Sequence, residues 1–281
     1  MTHERTIYSL PAAQPFESPS SWLTRAALAQ GISLREMLKA LGLEGCRDPD
    51  QELVDEVSFA RVSSICGLDA GAFFVARRIV RRLKSVGEAR HRLLLSGPNG
   101  RPRYRICPVC MRKDRTPHAY IHWRFSCWRY CPEHDCLMVE QCWVCNSPIE
   151  LPATMFWPDQ RGRAYLSQCL ACGKPHGRGP VRHLGAELQE VGLVHQMLLR
   201  NGRAVLAALY AGYVQVADAK VAPLSRISKL ERMGVLGTGR MEFNGDHHAP
   251  PWGDLHSLHC GVDPHRCAPP HADASMTNAR A

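Results

Sequence analysis

The chain has 281 residues, a formal charge of +9, and 45% apolar and 22% charged residues, a composition that can bury one large core or two modest ones and excludes a wholly disordered chain. No early apolar stretch leads to a small-residue cleavage site, and the most apolar candidate span, residues 191–217, is interrupted by His195, Arg200, Asn201 and Arg203. The expectation is therefore a cytoplasmic protein with no membrane contact, whose 13 cysteines, several in Cys-x-x-Cys pairs, ligate metal rather than form disulfides.

Residues 1–100 read as short helices. Pro19-Ser20-Ser21 precedes Trp22, Leu23, Ala26, Ala27 and Ala29, with a serine available to cap the first turn. Ser33-Leu34-Arg35-Glu36 is a capping-box pattern, followed by Met37, Leu38 and Leu41 at helical spacing and by Gly42 as a left-handed stop. The two helices, joined through Gln30-Gly31-Ile32, form a helix-turn-helix-like unit. Such a pair reads DNA in some proteins and is plain scaffold in others, and both uses stay open. Residues 57–66 and 69–84 predict two more helices separated by Gly67. The second carries a core stripe of Phe73, Phe74, Ile79, Val80 and Leu83 and a cationic stripe of Arg77, Arg78, Arg81 and Arg82.

Charge is concentrated in residues 71–140, where fifteen Lys and Arg face five acids, so the remainder of the chain is close to neutral. A solvated face would account for a charge run, but an anionic polymer is the preferred partner, since each neutralised phosphate releases counterions. The candidate DNA-binding residues are Arg77, Arg78, Arg81, Arg82, Arg124 and Arg129. The last two lie among Tyr120, Trp123, Phe125, Trp128 and Tyr130, aromatics that could stack bases. A small module also needs them as its core, and that use is preferred.

Within this window the cysteines fall into order. Cys107-Pro-Val-Cys110 is followed by Cys131-Pro-Glu-His134, and Cys142-Trp-Val-Cys145 by Cys169-Leu-Ala-Cys172. Each knuckle offers two ligands from one tight turn, and two knuckles complete a tetrahedron. Two zinc ions per chain are expected, the first on Cys107, Cys110, Cys131 and His134 and the second on Cys142, Cys145, Cys169 and Cys172. Sequential pairing is simplest, and an interleaved cross-brace is the alternative. Four protein ligands per ion close each site, which favours structural over catalytic metal. Cys127 and Cys136 flank the second knuckle as competitors or buried thiols, while His256, His259, Cys260, His265 and Cys267 are read as composition rather than a third site. No nucleophile–histidine–carboxylate set and no P-loop ending stands out, so no enzyme is expected.

Pro15-x-Glu17-Ser18-x-Ser20-Ser21-Trp22-Leu23-x-Arg25, followed by Arg105-x-Cys107-Pro-x-Cys110, Trp123, Cys131-Pro-x-His134 and Cys142-x-x-Cys145, resembles the TniQ family over roughly residues 8–175. Asp135 stands where the family usually has glycine, and Trp143 where it usually has proline. The resemblance implies a non-catalytic accessory of DNA transposition that links target DNA, or an RNA-guided targeting complex, to an AAA+ ATPase and its transposase, with homodimers in some relatives. Trp22 and Arg25 belong to its N-terminal signature and are the candidate partner-binding residues. The rival reading is a zinc-stabilised transcription regulator acting on a promoter without a transposase.

The expected fold is mainly α with a small zinc-finger module. Residues 1–100 form the helical N-terminal domain, 101–178 the double zinc finger, 179–222 short C-terminal helices, read at 184–199 and 203–213, and 223–281 a disordered tail.

Overall fold

Ser18 opens the first helix, α1 (Pro19–Gln30): its hydroxyl accepts the Ser21 N–H, Pro19 occupies the first helical position, and Gly31 closes the helix at φ +62°. The cap is thus Ser18 rather than either serine after the proline, because the fixed φ of proline suits the first turn and its missing N–H is no loss there. The capping box of α2 (Leu34–Ala40) forms as expected, with Ser33 and Glu36 bonded reciprocally, and Gly42 follows at φ +66°. Asp48 caps α3 (Pro49–Glu52). Asp55 caps α4 (Glu56–Cys66), which ends on Gly67 at φ +61°. In the computed structural model, residues 7–153, 166–183, 201–215, 221–227 and 229 are described.

Helix α5 (Phe74–Arg82) starts later than the expected residue 69. The Asp69 carboxylate accepts the Gly71 N–H at 2.6 Å, a local turn that competes with helix, and Phe73 then sits at φ +57°. A 3₁₀ segment, Leu83–Ala89, runs into α6 (Arg90–Leu93), and α7 (Pro108–Lys113) follows. Two short antiparallel pairs complete the regular structure: β1 (Tyr130–Cys131) with β2 (Cys136–Leu137), and β3 (Tyr213–Gln215) with β4 (Val221–Pro223). The architecture is mainly helical.

Trp22 lies near the middle of the packing, wholly buried and in edge contact with Phe73 at 5.7 Å between ring centroids. Met37, Leu41, Val62 and Ile79 pack in the same cluster, which continues without a break through Tyr104, Trp123 and Phe125 to Val205, Leu206 and Leu209. Backbone and hydroxyl bonds tie α1 to later segments. The Ser18 N–H donates to the Ala119 carbonyl at 2.9 Å, the Ala119 N–H to the Ser21 hydroxyl at 2.8 Å, and the Ala153 N–H to the Thr24 hydroxyl at 3.0 Å. These bonds explain the buried Ser21 and Thr24 on this helix: each hydroxyl is needed as an acceptor where water is excluded.

Residues 201–211 are helical, in agreement with most of the helix expected at 203–213, although Tyr213 has passed into β3. A 3₁₀ turn, Leu224–Arg226, follows β4, and Leu224 and Ile227 are buried in the core. The helix expected at 184–199 lies outside the described residues, as does the tail expected from 223 beyond 227 and 229, with its histidines and cysteines. Among the described residues, no helix is long and apolar enough to cross a membrane.

Candidate metal centres and the placement of the cationic residues

The first knuckle is also the first turn of α7. Cys107 is the residue before the helix, and its Sγ accepts the Cys110 N–H at 3.4 Å. Pro108 at the next position fits for the same reason as Pro19 in α1. The second knuckle lies in the β1–β2 turn, where Cys131 pairs with Cys136 across the ladder and Asp135 takes φ +49°. His134 aims Nδ1 at three sulfurs: 3.3 Å to Cys110, 3.6 Å to Cys107 and 3.6 Å to Cys131. The Cys110 and Cys131 sulfurs are 3.8 Å apart.

These edges can be compared with an ideal site. Tetrahedral zinc with Zn–S of about 2.3 Å and Zn–N of about 2.0 Å has S–S edges of about 3.8 Å and S–N edges of about 3.5 Å. The observed edges match. In the second cluster Cys142 and Cys172 are 3.6 Å apart, as are Cys145 and Cys169. Here the Val144 N–H donates to the Cys142 sulfur at 3.5 Å, and the turn after Cys169 closes through a bond from the Gly173 N–H to its carbonyl at 2.8 Å. Within each of the two groups all ligand atoms lie within 4.8 Å of one another. The grouping is sequential, first knuckle with second and third with fourth, so the cross-brace alternative is excluded. Two metal ions can be held, and Cys₃His and Cys₄ donor sets of this size suit zinc, which would cross-link the knuckles when bound.

The thiols of the first cluster are strongly interdependent. Hydrogen bonds from Cys110, Cys131 and Cys136 hold the Cys107 thiol far below its ordinary range, and the same bonds push Cys110 and Cys136 up. A bound dication would favour the ionised form of all three ligand thiols together. Cys136 is not among the four ligands, but its Sγ is 3.6 Å from that of Cys107 and it is fully buried. It is an outer donor to a ligand sulfur rather than a competitor for the ion, a role its irregular spacing does not reveal. In the second cluster the exposed Cys145 is lowered to about 6, mainly by its contact with Ser147.

The cationic and aromatic candidates are placed very differently from one another. Arg124 is completely buried. It donates to Asp50 at 2.9 Å and at 2.7 Å to one Asp48 oxygen, with a second bond to the other, while the Tyr104 hydroxyl donates to Asp50 and accepts from the Ser18 hydroxyl at 2.8 Å. This corrects its assignment to DNA: a guanidinium with two carboxylates and no exposure cannot meet phosphate. Trp22 is likewise buried, with its indole N–H on the Pro11 carbonyl at 2.8 Å, so it is core and not a partner contact. Arg25 donates to Glu17 at 2.6 Å, with one-tenth of its side chain exposed.

On α5, Arg77 stacks on Phe59 at 3.6 Å and pairs with Glu56, which Arg81 also contacts. Arg78 stacks on Tyr210 and donates to its carbonyl at 2.8 Å. Arg82 and Arg129 are exposed. The structure therefore does not gather the six arginines into one surface. No spacing rule could have paired Arg124 with Asp48 and Asp50, which lie more than seventy residues away in sequence.

Compared with known protein families, residues 9–138 match the family model described as TniQ. Over that segment the chain is similar to the TniQ family. The match runs from the residues before α1 through both knuckles of the first cluster, and the second cluster lies C-terminal to it. TniQ proteins are associated with transposition. Among curated proteins the chain has no match.

Proposed function

We propose that this protein is a non-catalytic accessory of DNA transposition that brings target DNA, or a targeting complex bound to it, to an AAA+ ATPase and thereby to the transposase. The family match over residues 9–138 carries this reading. The closed Cys₃His and Cys₄ sets agree with a scaffold, because all four ligand positions are supplied by protein and zinc there would hold shape rather than activate water. Zinc is the proposed metal, two ions per chain. A helix pair built on Gly31 presents Arg35 and Lys39 of α2 to solvent, and Arg81, Arg82 and Arg129 add partly or wholly exposed cations. Homodimerisation and a cytoplasmic location complete the proposal.

The test is co-precipitation of the zinc-loaded chain with the cognate ATPase, with and without target DNA, alongside a transposition assay in cells lacking the chain. Capture of the ATPase and loss of targeted insertion are expected. Absence of ATPase capture together with sequence-specific promoter binding would instead establish a transcription regulator.

A further inference from the structure

The positive charge of this chain is held in two states. On α5 it is mostly engaged: Arg77 and Arg81 share Glu56 and Arg78 is fastened to Tyr210, with the exposed Arg82 as the exception. Between the two metal centres it is not. Arg112 and Lys113 end α7, and Lys174, Arg178 and Arg182 follow the last ligand knuckle; all five are exposed. Among the described residues none of the five makes an ion pair.

The two cationic segments touch. α7 packs on the 3₁₀ turn His176–Arg178, and the contact is closest at Gly177, where an added Cβ would lie 2.9 Å from Cβ and 3.1 Å from Cα of Arg112. Glycine is required there for the approach, which sets the Arg112 backbone against the residue that precedes Arg178. A cleft of about 520 Å³ adjoins this contact, lined by Pro108 at the start of α7, by Arg182, and by Trp143.

Trp143 is 47% exposed at the tip of the third knuckle, next to Val144 at 46%. Its indole N–H is fixed on the Pro175 carbonyl at 3.1 Å, and Gly179 leaves room for the ring, since a Cβ there would lie 3.0 Å from Cδ1. A large apolar side chain is thus held on the same short segment that carries Lys174, Arg178 and Arg182. The acid lining the cleft, Glu140, is already bonded to Arg105.

We propose that this face, formed by the end of α7 and residues 174–182 with Trp143 at its rim, is the surface that grips the phosphate backbone of duplex DNA. The proposal rests on the DNA-contacting part of the function proposed above, and it moves that contact from α5 to the junction of the two metal centres. The physical reason is counterion release from the DNA. A cation already paired with a protein carboxylate must give up that partner before it can neutralise a phosphate, whereas an exposed cation without an ion pair displaces a condensed counterion from the DNA at no such cost. Seven thiolates against two dications leave negative charge at the metal centres, but it is confined to the knuckles while the five cations face solvent. The half-exposed indole adds an apolar platform for sugars and base edges.

The experiment uses full-length, zinc-loaded protein and a fluorescent 30-bp duplex, with binding followed by anisotropy over a salt titration. The triple variant Arg112→Gln, Arg178→Gln, Arg182→Gln is compared with Arg81→Gln, Arg82→Gln, and zinc content and thermal unfolding report that both fold. The triple variant is expected to bind about tenfold or more weakly at about 100 mM salt, with the log–log salt slope reduced by about 2–3, and the α5 variant to change less. Lys113→Gln, Lys174→Gln provides an independent second variant with a slope loss of about 1–2. Unchanged affinity and slope in both folded variants overturn this surface and leave the DNA reading standing. Failure of the wild-type chain to bind the duplex even at low salt overturns both. A triple variant that keeps DNA binding but loses capture of the ATPase assigns the face to an acidic protein partner and also overturns the proposal.

Discussion

Two single residues, Asp135 and Arg25, each have a local physical account. Asp135 takes φ +49°, a conformation glycine adopts freely. Aspartate is among the residues that tolerate it, and here its side chain accepts the Tyr130 hydroxyl while its carbonyl accepts from His183 Nδ1 at 2.8 Å. Arg25 shows the opposite lesson. As an exposed signature residue its loss would cost at most about 0.5 kcal/mol, but its partner Glu17 is fully buried and also accepts from Ser21 Oγ and the Gln14 N–H, each at 2.9 Å. Arg25→Ala is therefore expected to destabilise by about 2–3 kcal/mol, because a buried carboxylate loses its cation. Urea unfolding checks this, and Arg25→Ala with Glu17→Gln should recover part of the loss.

Buried histidines set a pH dependence at the same scale. Burial lowers His176 to about 4 and lowers His122 well below its ordinary value. Unfolded histidine titrates near about 6.5, so between about 6.5 and 4 the unfolded state binds more protons than the folded one. Stability is fully present above about pH 6.5 and falls as pH drops through that window. His176→Gln should flatten the dependence by up to an order of 3 kcal/mol for that site, measured as thermal midpoint against pH for both proteins at matched zinc content.

At the scale of elements, the two metal clusters are embedded to different depths. Cys107, Cys110 and Cys131 belong to the main apolar cluster, whereas Cys145 is exposed and Cys172 partly so. Elemental analysis is expected to show two zinc ions in the wild type and about one in each of Cys131→Ser and Cys169→Ser. The Cys131 variant should lose far more thermal stability, since binding on the order of 10 kcal/mol or more per structural site is there coupled to the helices. The Arg124–Asp48–Asp50–Tyr104 network joins α3 to the 3₁₀ turn Ile121–Arg124 in the same interior. Removing its cation strands two carboxylates, one of them fully buried. Arg124→Ala is expected to cost about 3–5 kcal/mol and to leave intrinsic duplex binding of the folded protein unchanged, as measured by denaturant unfolding and by anisotropy.

For the molecule as a whole, bonds from α1 to Ala119 and Ala153 mean that the helical segment and the metal-bearing segment support each other. Chelation should accordingly lower the stability of α1–α5 as well as of the knuckles. Hydrogen exchange at Trp22 to Ala27, compared with and without a chelator, checks this: unchanged protection would mean that the helices stand alone.

The metal ligands could be read from the chain alone because a knuckle is local: two donors three residues apart need only a tight turn, and consecutive knuckles find each other across short connections. The caps of α2 and the glycine stops after α1, α2 and α4 were legible for the same reason, since each bond spans only a few residues. The start of α5 was misplaced because one aspartate turn outweighed a favourable helical pattern. The fate of each charge was beyond reach. Arg25 and Arg124 look like surface residues in sequence, and Glu17, Asp48 and Asp50 look like ordinary solvent-facing acids. Whether a cation is free for phosphate depends on which carboxylate the fold brings to it, and those partners come from distant segments. Local chemistry fixed the knuckles and helix ends; tertiary packing alone decided that Arg77, Arg78 and Arg81 of α5 are occupied while the cations near Gly177 face solvent, because electrostatic pairing acts through space and leaves no period in the chain.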